Sequence, residues 1–105
     1  MTCKIVTNAN FSREVLEYLD PVVVVFEAEW SGACHIVAPI IEDLARVFEG
    51  QIQICRLDVE ANNRMAHKYG IRALPTLLFF KRGQIVDSLT GIVSKQQLKT
   101  RLDSF

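Results

Sequence analysis

Hydrophobic residues occur along this chain in two patterns. The first is a short run, either continuous or alternating with polar residues, and the second is a longer stretch with helical spacing. Apolar residues that recur every three or four positions predict helices, whereas compact β-branched runs predict strands. The order of these patterns predicts the element order β-α-β-α-β-α-β-β-α. Strand character is found at residues 4–6, 22–26, 51–57, 76–80 and 85–89.

The strand segments differ in the burial that they predict. Residues 22–26 are four valines and a phenylalanine, a run typical of a strand covered on both faces. Residues 51–57 begin with alternating polar and apolar side chains and read as a third strand. Residues 76–80 and 85–89 flank a short segment that contains Gly83, which predicts an antiparallel hairpin.

The first and last helices have recognisable starting residues. The first is predicted over residues 10–19, with Asn10 or Ser12 as its N-cap and a proline just beyond its end. Ser94 followed three positions later by Gln97 is the signature of a capping box, so the last helix should start there and end near residue 102.

The two middle helices follow the second and third strands. Pro39 lies inside the longer one and should kink it, and Gly50 is placed to cap its C-terminal end. Asn62 or Asn63 can cap the shorter one, which should stop at Gly70. Helical spacing predicts that the longer helix, which begins after Trp30, is buried through Ile36, Ile40, Leu44 and Val47.

These elements predict an α/β fold. The first part of the order implies parallel crossovers with helices on both faces of a sheet, and the hairpin adds antiparallel strands at one edge. We therefore expect a mixed sheet in a three-layer α/β/α sandwich, forming one domain over residues 1–105.

Composition and charge narrow the classes of function. The 12 basic and 12 acidic residues give a net charge of zero, so neither nucleic acid nor a membrane is expected as a partner. No apolar run is long enough to span a bilayer, and residues 1–4 do not resemble a signal peptide, so we expect a cytoplasmic location. Three cysteines argue against a closed disulfide framework, and neither a cofactor nor a metal site is predicted.

The segment 26–34 carries the candidate chemistry, because a buried strand leads through a turn directly into a helix. The unpaired N–H groups and positive dipole end of a helix N-terminus stabilise a cysteine thiolate. A second cysteine three residues later can release a mixed disulfide, which is the basis of Cys-x-x-Cys chemistry. Here the second position is Cys34, but the first is Ser31.

Ser31 has two interpretations. A serine hydroxyl is not ionised at neutral pH and forms no disulfide, so the simpler interpretation is a helix N-cap. The alternative pairs Ser31 with His35, one turn later, as nucleophile and base, although spacing reveals no carboxylate to orient the histidine.

The three thiols also allow different interpretations. Cys34 is either a small buried hydrophobic residue or a lone thiol capable of mixed-disulfide formation or glutathionylation. Cys55 lies in an apolar strand and should belong to the core. Cys3 lies near the terminus, where we expect its thiol to be exposed to solvent and open to incidental oxidation. Pro75 opens a strand, and the residues alone leave its isomer undecided.

Several blocks of the chain, taken together, resemble the thioredoxin family over nearly the whole length. They are residues 30–34 (WSGAC), 38–40 (API), 68–72 (KYGIR), 74–83 (LPTLLFFKRG) and Gly91. The resemblance implies a five-stranded sheet with four helices and a cis bond before Pro75. It also implies that Leu74 offers backbone hydrogen bonds to an extended substrate. The implied partner-binding surface consists of Trp30, Gly32, Ala33, residues 70–73, Leu74, Pro75 and Gly91.

The departures from the family pattern concern the reactive turn. The family normally has Trp-Cys-Gly-Pro-Cys, whereas this chain has Ser31 and Ala33 at the two changed positions. The buried aspartate that assists the second cysteine is replaced by Val25, and the aromatic residue often found two positions later is Glu27. The accompanying basic residue corresponds to Arg56.

Three hypotheses follow from the resemblance and its departures. The first is an atypical thioredoxin-like protein whose two-thiol reductase activity is lost or impaired, with monothiol chemistry left at Cys34. The second is a non-enzymatic module that binds a protein or extended peptide, and the third is an engineered replacement of cysteine by Ser31 in an active reductase. Loss of the carboxylate together with the cysteine favours a natural sequence. Expected partners are a protein or extended peptide, glutathione or a thioredoxin reductase.

Overall fold

The computed structural model describes residues 3–105. Strands β1 to β5 span Lys4–Ile5, Val22–Glu27, Gln53–Asp58, Thr76–Lys81 and Gln84–Thr90. A π-helical turn covers Ser12–Leu16, and helices α1, α2 and α3 span Gly32–Val47, Asn63–Lys68 and Lys95–Asp103. The predicted order of strands and helical segments is confirmed.

The strands form a five-stranded mixed sheet in the order β1-β3-β2-β4-β5. β3 runs parallel to both β1 and β2, whereas β4 runs antiparallel to β2 and β5. This is the sheet expected from the resemblance, and the predicted hairpin between β4 and β5 is confirmed. β2 lies at the centre of the sheet, which explains why its valines are all buried.

Successive side chains of a strand point to opposite faces of the sheet, so β2 contributes to two hydrophobic cores. Val23 and Val25 pack with residues of α1 and α3, among them Leu44 and Leu98. On the other face, Val22, Val24 and Phe26 pack with residues of the π-helical turn and of α2, including Val15 and Met65. The helical segments therefore cover both faces, and the predicted α/β/α sandwich is confirmed.

The buried face of α1 differs from the predicted one. Ile36 and Val47 are each 56% exposed, and Ile40 is half-buried. Two series of apolar residues follow the helical period along α1, and Leu44 belongs to both. The sequence alone therefore does not decide which series is buried. Packing on the sheet selects the series that consists of Cys34, Val37, Ile41, Leu44 and Ala45.

The first predicted helix is also wrong in type and length. It is the short π-helical turn Ser12–Leu16, closed by a hydrogen bond from the Glu17 N–H to the Ser12 carbonyl at 2.9 Å. No side chain caps it. The Asn10 side-chain oxygen instead accepts a hydrogen bond from the Thr7 N–H at 2.7 Å, which explains why it does not serve as a helix cap.

The other helix ends follow the predictions more closely. The capping box formed by Ser94 and Gln97 is confirmed, with both reciprocal hydrogen bonds present. α1 continues through Pro39 and is capped by Phe48, so Gly50 lies in the following turn, where its positive φ of 86° suits glycine. Asn62 is the N-cap residue of α2 by position but makes no capping hydrogen bond with its own side chain.

Within residues 3–105, no helix is both long and apolar enough to cross a membrane.

Candidate active-site turn

The end of β2 and the start of α1 place Ser31 and Cys34 together. Ser31 is extended, with φ of −85° and ψ of 115°, and its hydroxyl oxygen accepts a hydrogen bond from the Cys34 backbone N–H at 3.3 Å. Each of the two residues is only 7% exposed. The interpretation of Ser31 as an N-cap is therefore confirmed, and Cys34 lies in the first turn of α1.

The alternative pairing of Ser31 with His35 does not form. The His35 ring nitrogen Nε2 lies 2.6 Å from the Glu29 carbonyl oxygen, and because that oxygen only accepts, Nε2 must carry the hydrogen. The hydrogen bond between the two residues joins the His35 backbone N–H to the Ser31 carbonyl, at 3.3 Å. The imidazole is therefore not positioned as a base for the Ser31 hydroxyl.

A small cavity of about 40 Å³ opens beside Cys34. Two charged residues from neighbouring strands line it, Glu27 from the end of β2 and Arg56 from β3. The complete lining consists of Glu27, Ala28, Glu29, Cys34, His35, Ala38 and Arg56. The cavity therefore connects the only cysteine of the turn with an ionisable pair in the sheet.

The charged groups behind Cys34 form a chain. Arg56 donates from Nε to Glu27 at 2.9 Å and from Nη1 to Glu42 at 3.2 Å. Burial raises the pKa of the Glu27 carboxyl, and the opposing effect of the Arg56 hydrogen bond does not fully offset it. Glu27 thus holds its proton more readily than an ordinary glutamate.

From the sequence, Glu27 stands out only as a departure from the family pattern. The signal that could have identified it is the strand period of two, because Glu27 lies two positions after Val25 and points to the same face of the sheet. That face is the one covered by α1, which carries Cys34.

The other two cysteines are removed from this chemistry. Cys55 is fully buried, which confirms its predicted place in the core. The predicted exposure of Cys3 is wrong, since it is only 4% exposed and packs in the hydrophobic core beneath α1. Burial raises the pKa of each thiol to about 12, so both remain protonated at neutral pH. All three cysteines are free thiols.

A larger groove of about 520 Å³ lies on the other side of the turn. Trp30 is 67% exposed at its edge. The groove brings together Trp30, Gly70, Ile71, Arg72 and Leu74, all predicted to belong to the partner-binding surface. Its remaining wall, from α2 and the preceding loop, was not predicted from the sequence and consists of Val59, Asn63, Ala66 and His67.

The remaining residues of the predicted surface lie outside this groove lining. The Leu74–Pro75 peptide bond is cis, as the resemblance implied, and Pro75 is buried. The Gly91 N–H donates to the Pro75 carbonyl at 2.8 Å, which ties Gly91 to the same region. In the first turn of α1, Gly32 is exposed and Ala33 is half-buried.

No group of three or more His, Cys, Asp or Glu side chains suited to a metal ion occurs among residues 3–105.

The chain is similar to known thioredoxins over almost its whole length. The family model described as Thioredoxin matches residues 2–104. The thioredoxin of Pseudomonas aeruginosa is 39% identical over 99 residues, covering 94% of this chain and 92% of its own length. Thioredoxin 1 of Synechococcus elongatus is 43% identical over 98 residues, with coverage of 93% and 92%. The thioredoxin of Pyropia yezoensis is 37% identical over 105 residues, with coverage of 100% and 98%. A family match over almost every residue, with relatives of this similarity, means that the chain belongs to the thioredoxin family.

Proposed function

We propose that this protein is an atypical thiol–disulfide oxidoreductase, built as one thioredoxin-like domain over residues 1–105, that has lost efficient two-thiol reduction and retains monothiol chemistry at Cys34. The observation that carries the proposal is the Ser31 hydroxyl, which occupies the position of the attacking thiol and caps the helix that contains Cys34. An alcohol cannot form the disulfide that ends a two-thiol cycle.

The position of Cys34 supports slow exchange. Cys34 lies in the first turn of α1 but is only 7% exposed, so a disulfide reaches its sulfur only when the turn opens. A mixed disulfide at Cys34 would persist, because Ser31 cannot resolve it.

The partner in this proposal is an extended protein segment or glutathione. The exposed Trp30 ring and the groove beside it offer apolar contact area, and Arg72 and His67 add polar groups at the groove wall. Leu74, before the cis-proline, supplies the backbone hydrogen bonds that an extended segment needs. A thioredoxin reductase is a further partner under this proposal, and the proposed location is the cytoplasm.

A second candidate is a binding module without redox turnover. It is favoured by the contrast between an exposed Trp30 and a buried Cys34, since the binding surface is open while the sulfur is covered. The reactivity of Cys34 in the native fold separates the two candidates. An inert thiol would favour the binding module.

An insulin-reduction assay tests the proposed loss of reductase activity. The protein with Ser31 should give no catalytic turnover, and the Ser31→Cys variant should gain turnover. If Ser31→Cys stays poorly active, the missing carboxyl group at Val25 is the reason, and adding Val25→Asp should then speed the second thiol step. Sustained turnover by the chain with Ser31 would contradict the proposal, because it would show that the reaction does not need a thiol at position 31.

A further inference from the structure

The cavity beside Cys34 has the size and polarity to hold a water molecule that could carry a proton between Cys34 and a carboxylate. Its volume of about 40 Å³ accommodates about one water molecule, which needs several polar partners to stay in place. The ionisable residues Glu27, Glu29, His35 and Arg56 line it, together with Cys34. Among residues 3–105, no hydrogen bond joins the Cys34 thiol directly to a carboxylate, so a proton passing between them needs a bridging water.

Glu27 is the carboxyl group best placed to use that path. Its Oε2 accepts from Arg56 at 2.9 Å, which fixes the side chain at the end of β2. Within the described chain, its other oxygen, Oε1, receives no hydrogen bond from protein and remains able to accept one from water. Glu29 also lines the cavity, but its side chain belongs to an exposed residue of the turn.

The charged surroundings favour reversible protonation of Glu27. Burial raises the pKa of its carboxyl group, the Arg56 hydrogen bond lowers it, and the nearby charges of Asp58 and Glu42 raise it again. An acid–base group works best when its pKa lies close to the working pH. The shift is therefore in the direction that suits proton exchange with a thiol.

We propose that Glu27 is the positioning residue that takes the proton from Cys34 through a cavity water during thiol–disulfide exchange. This inference rests on the monothiol function proposed above and deepens it. Glu27 lies two positions after Val25 on β2. Under this proposal it accepts the proton of Cys34, which the Val25 side chain cannot do. Arg56 holds the carboxylate in place from the neighbouring strand.

The exchange step balances without any further reagent. The Cys34 sulfur bonds to one sulfur of an incoming disulfide while the original S–S bond breaks. The proton leaves Cys34 through the water for the Glu27 carboxylate, and from there it passes to the departing sulfur, which becomes a thiol. Cys34 is oxidised to a mixed disulfide, one half of the incoming disulfide is reduced, and Glu27 returns to its ionised form.

The groups that face Glu27 define the controls. Arg56 and Asp58 lie on β3, Glu42 lies on α1, and His35 lines the same cavity. His35 is the rival proton carrier, although its Nε2–H is already donated to the Glu29 carbonyl. Glu42 is the matched control, because it also accepts from Arg56 but does not line the cavity.

The experiment measures the rate of glutathione addition to Cys34 in the full chain, by mass spectrometry, from about pH 4 to about pH 9. The wild-type profile should contain an acidic inflection from Glu27. Glu27→Gln should remove it and slow exchange at neutral pH by about tenfold or more. Glu27→Asp should restore part of the rate. Glu42→Gln should keep the inflection at a slightly lower pH, because a neighbouring negative charge is gone.

Two results overturn the role of Glu27. One is an unchanged profile in a folded Glu27→Gln variant, and the other is loss of the inflection in His35→Gln alone. Circular dichroism of each variant shows whether it has folded.

Failure of the proposed function gives a different result. If wild-type protein forms no mixed disulfide at any pH, monothiol exchange is ruled out. The Glu27 role is then decided by NMR titration of its carboxyl carbon, which should show a second inflection that disappears in Cys34→Ser. A single inflection that is identical in both proteins overturns the coupling of Glu27 to Cys34.

Discussion

The Ser31 hydroxyl oxygen lies 3.3 Å from the backbone nitrogen of Cys34 and accepts its hydrogen. The same side chain that removes the first thiol of the turn therefore stabilises the helix that carries the remaining one. This dual effect means that Ser31 has a structural contribution that can be measured separately from any redox property.

Replacing Ser31 by alanine should lower the free energy of unfolding by about 1 kcal/mol, because the first turn of α1 loses its cap. Ser31→Asn provides the control, since asparagine is an equally good N-cap and should retain most of the stability. Urea denaturation of the three proteins measures the effect. Equal stability of Ser31→Ala and wild type would show that the hydrogen bond contributes nothing.

Thiol reactivity should distinguish Cys34 from the other two cysteines. In the native fold, glutathione disulfide should add slowly to Cys34 and leave Cys3 and Cys55 unmodified, because burial raises the pKa of each of these thiols to about 12. After unfolding in urea, all three cysteines should react. Intact mass counts the adducts, and peptide mapping locates them. Early modification of Cys3 in the native protein would contradict its observed burial.

Introducing the carboxyl group that Val25 lacks should destabilise the protein. Val25 is fully buried in β2, opposite Arg56 and Leu77 in the register of the sheet. Val25→Asp should cost about 2 kcal/mol or more of unfolding free energy at neutral pH, because a carboxyl group enters an apolar core. Val25→Thr, which keeps the shape with a smaller polar group, should cost less. Thermal and urea unfolding compare them, and an equally stable aspartate variant would mean that Arg56 fully compensates the charge.

The parts of the fold that sequence predicted correctly are those decided by neighbouring residues. The valine run of β2 and the capping box of Ser94 and Gln97 are complete within a few positions of the chain. The burial of Cys3 and the pairing of Glu27 with Arg56 depend on residues that come together only in the folded sheet. Helical spacing likewise left two overlapping apolar series on α1, and only packing on the sheet decides between them.

The cap of α2 is another long-range feature, and it yields a prediction. The Asn8 side-chain oxygen accepts from the Met65 N–H at 3.1 Å, while the Asn62 side-chain oxygen accepts from the Asn8 N–H at 2.9 Å. Asn8→Ala should therefore lower the unfolding free energy by about 1 kcal/mol. It should also loosen α2, which forms one wall of the groove beside Trp30.

Asn63→Ala is the matched control for that variant, because Asn63 is exposed in the first turn of α2. Hydrogen exchange of the Met65 amide measures the local effect, and urea unfolding measures the global one. Faster exchange of Met65 in Asn8→Ala than in Asn63→Ala is the expected result. The reverse order would assign the cap to the local asparagine, as the sequence alone suggested.

Glu27 should make stability depend on pH with a sign opposite to that of a surface ion pair. Burial raises the pKa of its carboxyl group above the ordinary value of 4.5, so folding favours the protonated form. Its contribution to stability is therefore complete below that ordinary value and is lost as the pH rises through the raised pKa. The unfolding free energy of wild type relative to Glu27→Gln should be greater at about pH 4 than at neutral pH.

Glu14 provides the contrasting control for this pH dependence. Hydrogen bonds from Lys4 and Arg13 lower the pKa of its carboxyl group, so its contribution is present above the ordinary pKa and is lost as the pH falls. As the pH falls, the unfolding free energy of wild type relative to Glu14→Gln should therefore decrease. The unfolding free energy of wild type relative to Glu27→Gln should increase. Urea unfolding across this pH range measures both differences. If the two variants behave alike, then burial does not govern the Glu27 carboxyl, and the Arg56 pair alone determines its charge.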